Sequence, residues 1–484
     1  MSKGVWQFKY VFGGLAEADQ VDREATIAFS KNVNFRRKQD VITLNQRLSK
    51  DSGATIDGLP NWIRDLNGTV YSYVNNGKIY ERMAASSWTL RKTNASHSGS
   101  GLGVDASYLY YSTASYVGRF PIGGTWGASE NDTWQALTAS SWNPIRYFAN
   151  VNLLVIGNGN KLAVWDYAAA NFSGSRLTMP SGWQIRDLEE WGDYLAISIW
   201  RGSSLRNSSF GKLVLWDGLS ERPNAVVSSQ AGNVQLTIQD KNYLNVFAGV
   251  IGNIYRFENS QLYQKRKIPF INEDAGENIE ILPGSKTSWH GIPHFGVAGV
   301  ATAASLSRGV YSFGSDRSNM PNALAMEYTI SEDATDANVK IGAIHASSDN
   351  ELYVGWQNNT TYGIDKLDTS NQYATGYVES LWNRGTPSEE GYMKVPEKFR
   401  ILYEPLVSGQ SLVVKIANDY NSSYATVANA TVSGEYAKSL TQLADGNPFP
   451  SGRSHKIRID FTSVGGAAPK LISMKTDYDV KETS

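Results

Sequence analysis

Two histidines four residues apart are the first candidates for metal chemistry in this sequence. His290 and His294 have the i, i+4 spacing with which a helix presents two imidazole ligands to zinc. Gly291 and Pro293 lie in the interval and oppose the helix that this geometry requires. The chain contains no cysteine, which excludes disulfides, cysteine-based zinc sites and thiol catalysis. We therefore predict no metal site and no cofactor, and we interpret both histidines as turn or core residues.

Carboxylates cluster in two stretches, and glycoside hydrolysis requires a pair of carboxyl groups around the scissile bond. The two clusters are Asp187, Glu189, Glu190 and Asp193 around Trp191, and Glu273, Asp274, Glu277 and Glu280 further along. Acidic residues at strand ends and in loops are mostly solvated, so we predict solvated side chains and no catalytic residues. A glycan-cleaving enzyme stays open as an alternative if two carboxylates point into a central channel.

Other catalytic signatures are missing from the sequence. There is no phosphate-binding glycine-rich loop with lysine and no Gly-x-Ser-x-Gly elbow. The Ser-x-Asp-x-Gly-x-Thr-Trp box typical of sialidase blades is also missing, and Ser347–Trp356 resembles it only in part. The chain is therefore predicted not to be an enzyme.

Aromatic and basic residues are candidates for binding instead of catalysis. Phe, Trp and Tyr make up 12% of the chain, and Trp126, Trp142 and Trp200 are candidate glycan contacts in loops on one face of the protein. The basic runs 36–38 and 265–267 are interpreted as solvated strand ends, because Lys and Arg (45) balance Asp and Glu (46). The net charge of −1 favours neither nucleic acid nor a membrane surface. We predict no nucleic-acid contact and no membrane insertion.

A repeated phrase indicates the elements that position these residues. GKLVLWD at 211–217 closely matches NKLAVWD at 160–166. Counterparts of Leu213 in this phrase recur along the chain at Ile79, Phe120, Leu162, Ile254, Val310 and Ile364. The successive spacings are 41, 42, 51, 41, 56 and 54 residues, which is near the repeat length of propeller blades.

The neighbourhood of each match is typical of one blade of a β-propeller. An apolar strand and a turn rich in Gly and Asn come before the match, and a shorter strand with Ile-Arg precedes them at 63–66, 145–146 and 185–188. Four strands per unit and about seven units predict an all-β, about seven-bladed β-propeller over residues 54–385. A long β-sandwich and a β-solenoid are the alternatives.

The ends of the chain have different patterns. Residues 386–484 contain strand patterns at 398–406, 411–419, 455–462 and 470–478 without the blade phrase, which predicts a small antiparallel β-sandwich. Residues 1–53 form an N-terminal arm with strands predicted at 25–30 and 41–48. One of these strands is expected to complete the last blade, and the other to pair with a neighbouring subunit. The candidate assembly residues of the arm are Asn34, Phe35, Arg36 and Arg37.

Two stretches of the N-terminal region carry a family resemblance. AFSKNVNFR at 28–36, followed by LSKDSG at 48–53, is similar to the opening of propeller-bearing tail proteins of tailed bacteriophages. In that family an N-V-x-F-R stretch and a short strand precede the first blade. The order of a propeller followed by a small β-domain resembles the same family along nearly the whole chain.

The resemblance implies a non-enzymatic virion structural protein. It is expected in the virion tail, as a nozzle, tail-tip or fibre-attachment subunit, with other tail proteins as partners and as a homo-oligomer. Because the first residues contain no apolar segment of signal-peptide type, synthesis in the host cytoplasm is expected. The alternative is a carbohydrate-binding adhesin or receptor-binding protein that uses the aromatic loops to bind a host surface glycan.

Overall fold

A computed structural model of the chain describes residues 2–8, 14–15, 26–34, 41–53, 56–94, 98–113, 115–138, 140–202, 210–241, 243–268, 277–300, 308–314, 322–332, 339–384, 391–419, 421 and 423–481. In these ranges there are 42 strands, numbered β1 to β42 in chain order, and one short 3-10 helix (Ala149–Val151). The protein is therefore all-β, as predicted. No helix in these ranges has the length and apolar composition needed to cross a membrane.

The strands follow one another in groups. The N-terminal group is β1 (Ser2–Phe8), β2 (Gly14–Leu15), β3 (Thr26–Lys31), β4 (Val33–Asn34), β5 (Thr43–Leu44) and β6 (Gln46–Lys50). Five groups of four come next: β7 (Pro60–Leu66), β8 (Thr69–Val74), β9 (Lys78–Ala84), β10 (Ser87–Thr93); β11 (Leu102–Val104), β12 (Tyr108–Ser112), β13 (Tyr116–Pro121), β14 (Asn131–Ala136); β15 (Ile145–Phe148), β16 (Leu153–Asn158), β17 (Lys161–Asp166), β18 (Asn171–Thr178); β19 (Trp183–Trp191), β20 (Tyr194–Arg201), β21 (Phe210–Trp216), β22 (Ala225–Ser228); β23 (Val234–Asp240), β24 (Tyr243–Ala248), β25 (Asn253–Glu258), β26 (Gln261–Lys267).

The remaining strands are β27 (Asn278–Glu280), β28 (Lys286–Trp289), β29 (Ile292–Gly296), β30 (Ala298–Val300), β31 (Val310–Gly314), β32 (Ala323–Tyr328), β33 (Lys340–Ala346), β34 (Leu352–Asn358), β35 (Thr361–Gln372), β36 (Thr375–Ser380), β37 (Met393–Tyr403), β38 (Ser411–Asn418), β39 (Ala425–Ala430), β40 (Ala437–Leu440), β41 (His455–Thr462) and β42 (Leu471–Lys481). The chain divides into two compact units: residues 48–310 with 330–367, and residues 1–47 with 311–329 and 368–484.

The first unit is a seven-bladed β-propeller. Blades 1 to 5 are four-stranded antiparallel sheets of consecutive strands, β7–β10, β11–β14, β15–β18, β19–β22 and β23–β26. The hairpin of β28 and β29 occupies the sixth position, and β33, β34, β35 and β6 form blade 7. In the described part of the chain the first strands of successive blades contact one another in a closed circuit: β7, β11, β15, β19, β23, β28, β33 and again β7. A closed circuit of seven inner strands is the defining feature of this fold.

The repeated apolar residue has one structural role. Ile79, Phe120, Leu162, Leu213, Ile254 and Ile364 each lie in the third strand of a blade, and Val310 opens β31. All seven side chains are at most 2% exposed. The third strand lies between two others of its sheet and is covered by the adjacent blades, which is why its pattern is the strongest repeat in the sequence.

Blade 7 takes its outermost strand from the N-terminal region. β6 lies beside β35 in this sheet, so a strand that precedes the first blade in the chain completes the last blade. The Ser52 backbone N–H donates to the Ile364 carbonyl over 3.0 Å, and the Ile364 N–H donates back to the Ser52 hydroxyl over 2.8 Å. The ring is therefore closed by pairing residues that are about 300 positions apart.

Asp51 then ties this closing strand to blade 1. Its carboxylate accepts two hydrogen bonds from the Arg82 guanidinium, at 2.6 and 3.0 Å, and one from the Trp88 indole N–H at 3.0 Å. Asp51 itself is only 5% exposed. Burial alone would raise the pKa of Asp51, but the hydrogen bond and charge of Arg82 outweigh burial and hold it below its usual value. The latch between the last and first blades is thus a buried, charge-assisted contact.

The second unit is built from three separate parts of the chain. One sheet has the order β1-β42-β37-β40, and eight strands of another have the order β31-β32-β2-β3-β36-β41-β38-β39. The four C-terminal strands predicted from the sequence are present as β37, β38, β41 and β42. Phe399 of the first sheet is fully buried and packs edge-on against Phe449, with 4.8 Å between the ring centroids.

The sequence predicted three consecutive domains, at 1–53, 54–385 and 386–484. The boundaries of the two units do not coincide with these ranges. Segments 1–47 and 311–329 lie in the same unit as the C-terminal strands, because β1 pairs with β42 and β3 pairs with β36. These pairings join strands that are hundreds of residues apart, and local periodicity contains no information about them.

Replacing Asp51 by alanine is expected to destabilise the protein by about 3 kcal/mol, because Arg82 and the Trp88 indole lose a buried partner. The urea midpoint would fall, and hydrogen exchange at residues 46–50 would become faster. Arg47→Ala on β6, the strand that Asp51 directly follows, is the control: the partner of Arg47 is Asp368 and its side chain is 49% exposed, so less than about 1 kcal/mol is expected. Equal midpoints for Asp51→Ala and Arg47→Ala would contradict the latch.

Candidate functional site

The inner strands of the propeller bring six ionisable side chains towards the central channel. We call them the axial cluster: Arg64 (β7), Arg146 (β15), Asp187 and Glu189 (β19), Lys286 (β28) and His345 (β33). They come from blades 1, 3, 4, 6 and 7, and each stands on the strand nearest the axis. Because a propeller encloses a channel at its axis, side chains of non-adjacent blades meet only there.

Lys286 is the centre of the cluster. Its ammonium group lies 2.6 Å from Asp187 Oδ2 and 2.8 Å from Glu189 Oε2, and it donates to the Thr237 carbonyl at 2.7 Å. The lysine of blade 6 thus reaches past blade 5 to two carboxylates of blade 4. Its side chain is 6% exposed, and that of Asp187 is 2% exposed. This is a buried, fully paired ion network.

The two carboxylates differ in their surroundings. Asp187 also accepts the Thr237 backbone N–H at 2.9 Å, and burial raises its pKa although the Lys286 charge opposes this. Burial alone would raise the pKa of Glu189 too, but the charges of Arg146 at 3.4 Å and of Lys286 outweigh it and lower that pKa.

The prediction that Asp187 and Glu189 are solvated is wrong. Both are buried on an inner strand, because Lys286 and Arg146 compensate their charges there. A glycosidase needs one carboxyl that holds a proton and one that attacks or activates water. One ammonium group holds both of these carboxylates, so neither is free for that chemistry.

Arg186, the residue before Asp187, faces a different environment. Its guanidinium lies 4.3 Å from the centre of the Trp200 ring and 5.4 Å from that of Trp142, and it donates to Glu280 at 3.0 Å. The ladder between β19 and β20 shifts register between Ile185 and Asp187, so Arg186 is the extra residue of a β-bulge. A bulge redirects side chains, which explains why Arg186 is 1% exposed while Asp187 joins the axial cluster.

The three tryptophans predicted to contact a glycan all pack within the protein. Trp200 lies in β20 and is 6% exposed, so its assignment to a loop is wrong. Trp142 does lie outside the strands, half-buried beside Arg186. Trp126 lies in the turn between β13 and β14 and stacks on Phe120 with 3.9 Å between centroids. Each of these indole rings already has an intramolecular partner on one face.

The remaining predicted residues divide into three cases. His294 is buried, with Nδ1 2.9 Å from the Ile292 carbonyl, and His290 lies in an exposed turn with φ of 50°. In the described ranges no group of three or more His, Asp or Glu is arranged to hold a metal ion. Asn34 belongs to β4 and is opposite Thr43 of its own chain. Phe35, Arg36 and Arg37 lie outside the described residues, as do Glu273 and Asp274.

Sequence reasoning missed Arg64, Arg146, Lys286 and His345 as site residues. A signal for two of them was present, because the Ile-Arg pair recurs at 63–64 and 145–146 at the start of a blade. Lys286 and His345 have no such repeat, and their position depends on which strand faces the axis.

Comparisons with known proteins identify structures with similar folds. A scan against protein-family models finds no match, and a search of curated proteins finds none either. One similar structure is the extracellular domain of a protein assigned to the hybrid two-component systems of Bacteroides thetaiotaomicron, with 14% identity, a TM-score of 0.48, and coverage of 83% of this chain and 48% of that chain. The chain thus spans about half the length of that domain.

Two further structures are similar over about two thirds of this chain. The WD40 domain of Neurospora crassa Pan2 has 10% identity and a TM-score of 0.42, with coverage of 68% of this chain and 98% of that chain. The computationally designed protein Ika8 has 11% identity and a TM-score of 0.40, with coverage of 69% of this chain and 96% of that chain.

Removing Lys286 should strongly destabilise the propeller. Lys286→Ala leaves two buried carboxylates without a counter-charge, and a loss of about 3–5 kcal/mol in the free energy of unfolding is expected. Lys265→Ala is the control, since its pair with Glu258 is at the half-exposed rim and is worth less than about 1 kcal/mol. Urea denaturation of both variants makes the comparison, and similar midpoints would show that the network does not stabilise the ring.

His345 should make stability depend on pH. Burial, with the charge of Arg64, lowers its pKa from 6.5 to about 3. As the pH falls below 6.5 the unfolded state takes up a proton that folded His345 refuses, so stability is lost. In chloride buffers, the urea midpoint of the wild type should fall more between pH 7 and pH 5 than that of His345→Gln. Equal decreases would mean that His345 is protonated in the folded protein at pH 5.

Proposed function

We propose that the protein is a non-enzymatic structural component of a bacteriophage tail, in which the propeller is a rigid scaffold and the second unit contacts neighbouring tail subunits. The proposal rests on the family resemblance of the N-terminal region. The observation in the structure that supports it best is an exposed apolar surface on the second unit.

This surface, the C-terminal patch, consists of Leu402, Val407, Val432 and Tyr436, which are 40%, 49%, 61% and 62% exposed. The segments that carry them are hydrogen-bonded to each other: the Tyr403 N–H donates to the Tyr436 carbonyl at 3.0 Å, and the Gly434 N–H donates to the Leu406 carbonyl at 2.8 Å. The backbone segments that carry the four exposed side chains are therefore adjacent. A contiguous exposed apolar patch on a protein surface is a common mark of an interaction site.

The axial cluster is compatible with a scaffold. Lys286, Asp187 and Glu189 neutralise one another inside the ring, and a saturated ion network supplies neither acid nor nucleophile. Its role in the proposal is to hold blades 4, 5 and 6 together around the axis.

The adhesin alternative has less support from the same structure. Trp142 and Trp200 contact Arg186, and Trp126 stacks on Phe120, so these rings do not form an open platform for a sugar. A host surface glycan as partner would therefore need other residues than the three predicted.

Immunogold electron microscopy of purified phage particles tests the proposed location. With antibody against this protein, we expect gold at the tail and none at the head, and antibody against the major capsid protein is the control for labelling. Intact particles without label, with the antigen found on cell surfaces or in the medium, would contradict the proposal and favour the adhesin.

The C-terminal patch gives a test of assembly. We expect the purified protein to form homo-oligomers, and we expect Val432→Ser with Tyr436→Ser to shift sedimentation to the monomer. Leu219→Ser is the matched control, because Leu219 is 67% exposed and lies in the propeller, outside the patch. Oligomers that survive the double substitution, or that dissociate equally in the control, would remove the patch from the interface.

A further inference from the structure

One cation of the axial cluster is not neutralised. Lys286 and Arg146 face carboxylates, whereas Arg64 forms no ion pair within the described part of the chain. Among the described residues its one hydrogen bond runs from Nη1 to the Ile63 carbonyl at 2.8 Å, and its guanidinium lies 5.1 Å from the centre of the Trp62 ring. A guanidinium has five N–H donors in a planar fork, so most of its donor capacity is unused.

The nearest carboxylate in sequence does not compensate Arg64. Asp65 accepts the backbone N–H of Ser348 at 2.8 Å, the Ser348 hydroxyl at 2.6 Å and the Gly68 N–H at 2.9 Å. The two Ser348 donors hold Asp65 towards the turn that follows β33, and the Gly68 donor belongs to the turn that follows β7. Asp187 and Glu189 favour the charged form of Arg64 only at longer range, and Arg146 opposes it.

His345 completes the environment of Arg64. It lies on β33, the inner strand that contacts β7, and its Nε2 atom is buried without a hydrogen-bond partner in the described residues. A buried polar atom without a partner costs free energy unless a ligand or water satisfies it. Arg64 and His345 are each half-buried as whole residues, so part of each side chain is exposed although the Nε2 atom of His345 is buried.

We propose that Arg64 and His345 form a binding site for a small oxyanion, a carboxylate or a phosphate group, in the channel of the propeller. The planar fork of Arg64 fits two oxygens of such a group. The Nε2–H tautomer of His345 donates a third hydrogen bond to an oxygen of the same group. Arg146, on the inner strand of blade 3, adds a positive charge whose own partners are Glu189 and Glu190. This anion site consists only of residues of the propeller, so it does not depend on the proposed role in a phage tail.

Titration calorimetry with inorganic phosphate and with acetate tests the site, at constant ionic strength in a chloride background. We expect saturable binding of at least one of the two anions. Arg64→Met keeps the apolar stem over Trp62 and should weaken binding at least 10-fold, and Arg64→Lys should weaken it less. His345→Leu should weaken binding about 3- to 10-fold, as one hydrogen bond is lost.

Arg176→Met is the matched control, because Arg176 is exposed on the outer strand β18 and, in the part of the chain that the structure describes, donates only to the Leu219 carbonyl. Tighter binding of phosphate would assign the site to phosphate groups, and tighter binding of acetate to carboxylates. Absence of binding by both anions, or equal binding by wild type and a folded Arg64→Met variant with a native urea midpoint, would overturn the proposal.

Discussion

The structure depends on the burial of both faces of every blade. A four-stranded antiparallel sheet with apolar residues on both faces is unstable alone, and here each sheet is covered by the next one around the axis. If the ring were not closed, one apolar face of the first blade and one of the last blade would be exposed to water. Strand β6 and the Asp51 carboxylate make that junction, with Arg82 and Trp88 as partners on blade 1. Closure therefore uses residues that precede the first blade in the chain.

The closed ring creates a second constraint at its axis. Seven inner strands converge there, and any polar side chain that they present leaves bulk water. The charges of Lys286, Asp187 and Glu189 neutralise one another at the axis. The β-bulge at Arg186 directs that side chain away from the axis. Arg64 has no carboxylate partner within the described residues. This difference from Lys286 and Arg146 is the reason for proposing a ligand at Arg64.

The sequence predicted the parts of the fold that depend on local pattern. The repeated residue marks the third strand of six of the seven blades, because burial on both sides restricts that strand to apolar residues. Partners distant in sequence, such as β1 with β42, could not be predicted, since no local feature encodes them. The candidate site has the same limit. The sequence identifies Trp200 as a candidate for glycan binding, but its burial beside Arg186 depends on a β-bulge that the sequence pattern does not predict.

Electron cryomicroscopy of purified particles tests the central claim most directly, that this chain is a closed seven-bladed scaffold within a phage tail. The account predicts tail density that fits seven blades, with residues 46–50 as the outer strand of the last blade and with the C-terminal patch against a neighbouring subunit. A tail reconstruction at side-chain resolution that accommodates no copy of this propeller would contradict the account.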